Sequence, residues 1–150
     1  MSVTTNAIIA YGISLDIDQK IPWELEADAG DWWLKVNGYE SPFGMFDENG
    51  DWIDGTRPSQ ERIDAYFNHR LAALEANPLP VEIVLHCSRD VRMYIVAVPG
   101  TVAEAYCGDP VAITVIRPPS EMTEPVIDFC KRFGLRGQGP DWWLASLFME

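Results

Sequence analysis

Positive charge is scarce in this sequence. Eleven Lys and Arg face 23 Asp and Glu, giving a formal net charge of -12 and a pI near 4.4. Nucleic-acid-binding domains usually leave a basic footprint, with a pI above about 9. The composition therefore argues against direct DNA or RNA binding and against attraction to an anionic membrane. Histidine is rarer still, at two residues, and the three cysteines, Cys87, Cys107 and Cys130, are widely spaced. No Cys-x-x-Cys occurs, and zinc-finger and zinc-deaminase spacings are missing. An odd count of scattered cysteines predicts free, mostly buried thiols in a reducing cytosol rather than a disulfide framework. No apolar run approaches the roughly 18–20 residues of a membrane span. The opening Met1 to Asn6 has no basic stretch, so no secretion signal is expected. A Gly-x-Ser-x-Gly, a phosphate loop and a dinucleotide fingerprint are all missing.

Negative charge is abundant and unevenly placed. Up to Glu75 there are 14 acids against 5 bases, a net of -9; the remaining 75 residues carry 9 against 6, a net of -3. The acids alternate with large aromatics: Trp23, Trp32, Trp33, Tyr39, Phe43, Phe46 and Trp52. A disordered acidic tail would lack such side chains, so the pattern predicts a folded body with an acidic face.

The expected class is α+β: one domain over 1–150, with a mixed or antiparallel sheet of four to six strands and two main helices on one face. Ala7–Leu15 is short, apolar and β-branched, and reads as a central strand. Asp31–Val36 fits one or two helical turns, ended by Asn37-Gly38. Met45–Ile53 fits a small hairpin around Asn49-Gly50, with Phe46 and Trp52 paired across it. Ser59–Ala76 is the strongest helix: Ser59 caps it, Ile63, Tyr66, Phe67, Leu71 and Leu74 form one buried stripe, and Pro78 and Pro80 end it. Val81–Cys87 and Val91–Val98 form an antiparallel hairpin. Pro99-Gly100 marks a bulge before Thr101–Tyr106, and Val111–Ile116 is another extended run. Thr123–Phe133 is a second helix with Val126, Ile127, Cys130 and Phe133 inward and Gly134 as its stop signal. After a glycine-rich loop, Trp142–Phe148 is a final strand.

Several constellations suggest chemistry and fall short. His86, Cys87 and Cys107 could in principle meet a metal, but strand alternation sends His86 and Cys87 to opposite faces. The same divergence opposes a Cys87–His86 nucleophilic pair. Asp47, Asn49 and Asp51 imitate the start of a calcium loop, but Trp52 stands where glycine is needed and Pro58 where a bidentate glutamate is needed. No catalytic residue, metal site or cofactor is predicted. The Trp32-Trp33 and Trp142-Trp143 pairs are either core on both sides or partly exposed interface anchors.

Asn6–Gly12 at the start, Leu85-His86-Cys87-Ser88 with Met93-Tyr94 in the middle, and Trp142–Ser146 near the end together resemble a loose group of small acidic bacteriophage proteins. The resemblance implies one full-length domain and the context of an accessory phage product acting in the bacterial cytosol. The group has no assigned activity and supplies no site residues.

Three functions follow as expectations. The first is an inhibitor of the anti-CRISPR or anti-restriction type that mimics nucleic acid, docking an acidic face on the basic surface of a host protein complex. Its contact residues would be Asp28, Asp31, Asp47, Glu48, Asp51 and Asp54, with Trp52 as an anchor. The second is a binder of, or enzyme for, a nucleotide signal or metabolite, with Arg89 or Arg92 holding an anion. The third is a virion structural or assembly protein.

Overall fold

A computed structural model describes residues 4–47, 49–113 and 118–149. In chain order the elements are β1 (Thr4–Leu15), α1 (Ala29–Val36), α2 (Gln60–Ala76), β2 (Glu82–Ser88), β3 (Arg92–Ala97), β4 (Ala103–Ala105), α3 (Ser120–Arg132) and β5 (Gly137–Met149). A short 3-10 turn, Ile53–Gly55, precedes α2. The chain divides into two compact units, Met1–Pro22 with Pro80–Glu150, and Trp23–Leu79. Among the described residues the architecture is α+β, with five strands and three helices.

All five strands lie in the first unit. β1 and β5 are antiparallel neighbours from Thr4↔Met149 to Leu15↔Gly137, with an irregularity between Gly12 and Ser14. β2 and β3 form the expected antiparallel hairpin, from Glu82↔Ala97 to Cys87↔Arg92. β2 also meets β5 in parallel at Cys87↔Leu147 and Ser88↔Phe148, which makes the sheet mixed. The order is β3-β2-β5-β1-β4, and β3 pairs with β1 as well, so four strands close into a ring.

β1 is central, as its apolar sequence predicts. Along one side it pairs first with β4, at Ala7 to Ile9, and then with β3, at Gly12 to Ser14. β3 and β4 thus act as one interrupted strand, and Pro99-Gly100 is the interruption. Gly100 takes φ +81. The Val98 N–H donates to Tyr11 O at 2.8 Å, and the Thr101 hydroxyl accepts from the Tyr11 N–H at 3.2 Å. The bulge is therefore bridged by a side chain where the ladder is broken.

Ring closure brings backbones close together, and glycine permits it. A Cβ on Gly12 would stand 2.1 Å from Val96 O, and one on Gly137 would stand 2.3 Å from Ser14 O. This corrects the loop expected before Trp142: β5 already starts at Gly137, and glycines that read as loop residues are close-approach positions inside a strand. Ile8, Ala10, Val84, Ile95 and Ala97 form the buried centre. α3 lies against β1 and β3 and buries Thr123, Val126, Phe129 and Cys130. It ends in a Schellman turn: Gly134 has φ +64, and the Leu135 N–H donates to Cys130 O at 2.8 Å. The extended run expected over Val111–Ile116 lies partly outside the described residues, and 111–113 carry no strand pairing.

The second unit holds α1 and α2. Only Ile63 is buried on α2; Phe67 is 55% and Leu71 54% exposed. The stripe expected to be buried is thus largely open. Periodicity marks which face of a helix is apolar, but not whether anything covers it. Trp32 and Trp33, adjacent on α1, are both buried. In the sheet unit, Trp142 and Trp143 are both half-buried, and the Trp143 Nε1–H donates to Gly12 O at 2.8 Å.

Candidate functional site

The second unit contains a cleft of about 620 Å³, lined by residues between 26 and 70. Three local structures shape it. α1 begins at Asp28, whose carboxylate accepts the Asp31 N–H at 2.8 Å and so caps one of the orphan donors of the first turn. α2 begins at Ser59, whose Oγ accepts the Arg62 N–H at 3.3 Å. Between them lies the expected hairpin. Phe46 and Trp52 form an antiparallel bridge, and their rings stack with centroids 4.7 Å apart. Gly50 supplies the positive φ of the turn, at +82. The Asp47 carboxylate accepts the N–H groups of Asn49 at 2.8 Å and Asp51 at 3.0 Å. The Asp-x-Asn-x-Asp pattern is an Asx-type turn, in which the carboxylate serves its own loop.

An aromatic wall connects the hairpin to α2. Tyr66 meets Phe46 edge-on at 5.7 Å, and Phe67 meets Tyr66 edge-on at 5.2 Å. These T-shaped contacts suit the ring quadrupole. Tyr39 adds a further ring to the cleft, its hydroxyl 2.8 Å from His69 Nδ1. The charged part of the cleft is tightly matched. Arg70 Nε donates to Asp31 at 2.6 Å, and its terminal nitrogen donates to both oxygens of Asp28 at 3.0 Å. Lys35 pairs with Glu26 at 2.5 Å.

The ionisations follow from this arrangement. Burial opposes the Arg70 charge, but the hydrogen bond and charge of Asp31, with the charge of Asp28, outweigh it and raise the Arg70 pKa. Burial also raises the Tyr66 phenol above its usual value, and the Asp31 charge adds to the rise. The cleft lining thus holds three carboxylates, Glu26, Asp28 and Asp31, against two cations, Lys35 and Arg70.

The predicted contact residues separate into groups. Asp28 and Asp31 meet at Arg70, at the cleft. Asp47, Asp51 and Trp52 belong to the hairpin; Asp51 is exposed and Trp52 half-buried. Glu48 lies outside the described residues. Asp54 sits in the 3-10 turn, and its side chain lies outside what the structure describes. Sequence reading missed Tyr39, Tyr66, Phe67 and Arg70 as site residues. The available signal was spacing: Tyr66 and Phe67 precede Arg70 by four and three residues, on one helix face. Arg89 and Arg92 lie exposed around the β2–β3 turn of the other unit, where the Arg92 Nε–H donates to Arg89 O at 3.3 Å.

Among the described residues, no group of three or more His, Cys, Asp or Glu is arranged to hold a metal ion. Among them, too, no helix is long and apolar enough to cross a membrane. No protein-family model, no curated protein and no solved structure matches the chain, so no family match points to an enzymatic activity.

Proposed function

We propose that this chain is a phage-type accessory binding protein that docks its acidic unit on a basic surface of a host nucleic-acid-handling complex and inhibits it. The observation that carries the reading is the distribution of charge over the two units. Residues 23–79 contain 12 acids and 4 bases, a net of -8, while the longer sheet unit carries 11 and 7, a net of -4. Two of the four bases, Lys35 and Arg70, are held in ion pairs within the unit.

The same pairing redistributes the contact set. Asp28 and Asp31 are matched by Arg70, so they offer less to a partner than their sequence position implies. The docking role then rests on the hairpin, where Asp51 is exposed next to Trp52, and on Glu48 and Asp54, which flank this pair in the sequence. An acidic patch beside a half-buried tryptophan and exposed Phe46 and Ile53 suits a partner with an apolar contact point and a basic rim.

The test is affinity capture from bacterial lysate, with the captured proteins identified by mass spectrometry and binding repeated at low and high salt. Capture of a basic partner that weakens with salt and is lost on combined Glu48→Lys, Asp51→Lys and Asp54→Lys supports the reading. Equal capture by the triple variant removes it. The cleft favours a second reading, a small organic ligand. Native mass spectrometry of protein purified from its host tests that reading by looking for retained mass.

A further inference from the structure

We infer that the aromatic cleft of residues 26–70 receives one arginine side chain of a protein partner. This rests on the docking reading above and names the group that enters the cleft.

Three observations converge on a cation. The wall is aromatic: Tyr39, Phe46, Tyr66 and Phe67 all face the cleft. Ring faces attract guanidinium and ammonium groups, most strongly where water is thinned out. The charges are unequal, since the carboxylates of Glu26, Asp28 and Asp31 stand against Lys35 and Arg70. Both cations are already bound by those carboxylates, Arg70 by two of them. An incoming phosphate would have to displace Asp28 or Asp31 from Arg70 and then sit beside the displaced charge. An incoming cation displaces nothing and meets a lining that has one more carboxylate than cation, each carboxylate already sharing a partner.

Arginine fits better than lysine. Its planar guanidinium stacks on rings and is weakly hydrated, and its fork matches carboxylates in pairs. A cleft of about 620 Å³ has room for one such side chain with part of its backbone. Phe67, 55% exposed, forms an accessible lip over which the side chain enters.

The experiment is an NMR titration of the full chain with acetyl-Gly-Arg-Gly-amide. The citrulline peptide serves as the uncharged isostere, and acetyl-Gly-Glu-Gly-amide and a nucleoside monophosphate serve as anions. The arginine peptide should shift resonances of Tyr39, Tyr66 and Phe67 and bind about three- to thirty-fold more tightly than the citrulline peptide. Phe67→Leu keeps an apolar lip but removes the ring, and should weaken binding several-fold; Tyr66→Leu should do the same. Because Phe67 is exposed, its variant keeps the test valid should the Tyr66 variant fail to fold. Equal binding of arginine and citrulline, shifts confined to other surfaces, or tighter binding of either anion overturns the inference. The two proposals fail separately. Partner capture that survives Phe67→Leu together with loss of peptide binding removes the cleft from docking, whereas peptide binding that survives the triple charge reversal together with unchanged capture removes the acidic patch.

Discussion

Arg70 on α2 donates its Nε–H to Asp31 on α1 at 2.6 Å, across 39 residues of chain, and grips Asp28 with its terminal nitrogen. One guanidinium thus joins the start of one helix to the middle of another. Its side chain is only 20% exposed, so solvent weakens this pair less than a fully exposed one. Arg70→Leu should cost about 1–2 kcal/mol in urea unfolding, because two carboxylates lose their partner. Asp28→Ala removes a cap as well and should cost about 1 kcal/mol. Combined Arg70→Leu and Asp31→Asn should cost less than the two single changes added together, as residues in direct contact do.

The glycines of the ring separate two kinds of cost. Gly12→Ala places a methyl group 2.1 Å from a backbone oxygen, which no rotamer change relieves. It should destabilise by about 3 kcal/mol or leave the protein unfolded. Gly38 has φ +74 with nothing within 4 Å of a built Cβ. Gly38→Ala should cost only about 1 kcal/mol, the conformational penalty alone. Equal losses at the two positions would mean that β1 and β3 do not approach as closely as described.

His86 provides a pH test. Its Nε2 is buried without a hydrogen-bond partner among the described residues, and burial lowers its pKa. A base whose folded pKa is depressed binds its proton more readily when unfolded. Its contribution is therefore complete above the unfolded value, about 6.5, and is lost as pH falls below it. The stability difference between the parent and His86→Gln should shift against the parent as pH drops from about 7.5 to about 5. A pH-independent difference would place the imidazole in water.

The thiols should react in a fixed order. Cys107 is exposed, Cys87 is partly covered, and Cys130 is buried in α3 with its pKa raised to about 11 by burial. Native protein treated with a thiol-specific reagent at mildly alkaline pH should label Cys107 first, and Cys130 only on unfolding. Mass spectrometry of the labelled peptides reads the order directly.

Local chemistry was legible in the sequence. Ser59, Gly134, Asn37-Gly38 and Asn49-Gly50 each mark a boundary by a hydrogen bond or a backbone angle that neighbouring residues decide. The β2–β3 hairpin was legible for the same reason. What depends on distant residues was not. Gly137 looks like loop until β1 lies beside it, and closure of β1 on β3 joins positions more than 80 residues apart. Phe67 and Leu71 obey helical spacing, yet their exposure is decided by what the rest of the chain leaves uncovered. The sequence presents the acidic residues before Glu75 as one face. Asp28 and Asp31 instead find Arg70, and Asp47 its own turn, because carboxylates seek the nearest donor before they reach outward.

The long ladder between β1 and β5 also sets a timetable for synthesis. Among the described strands β1 emerges from the ribosome first, and its most extensive partner, β5, emerges last. At about 5–20 residues per second, the interval between Leu15 and Gly137 is roughly 6–24 s. Through that interval the greasy segment Ala7–Leu15 has only the short registers with β3 and β4 to join, which leaves its other edge open and makes it the stretch most in need of a chaperone.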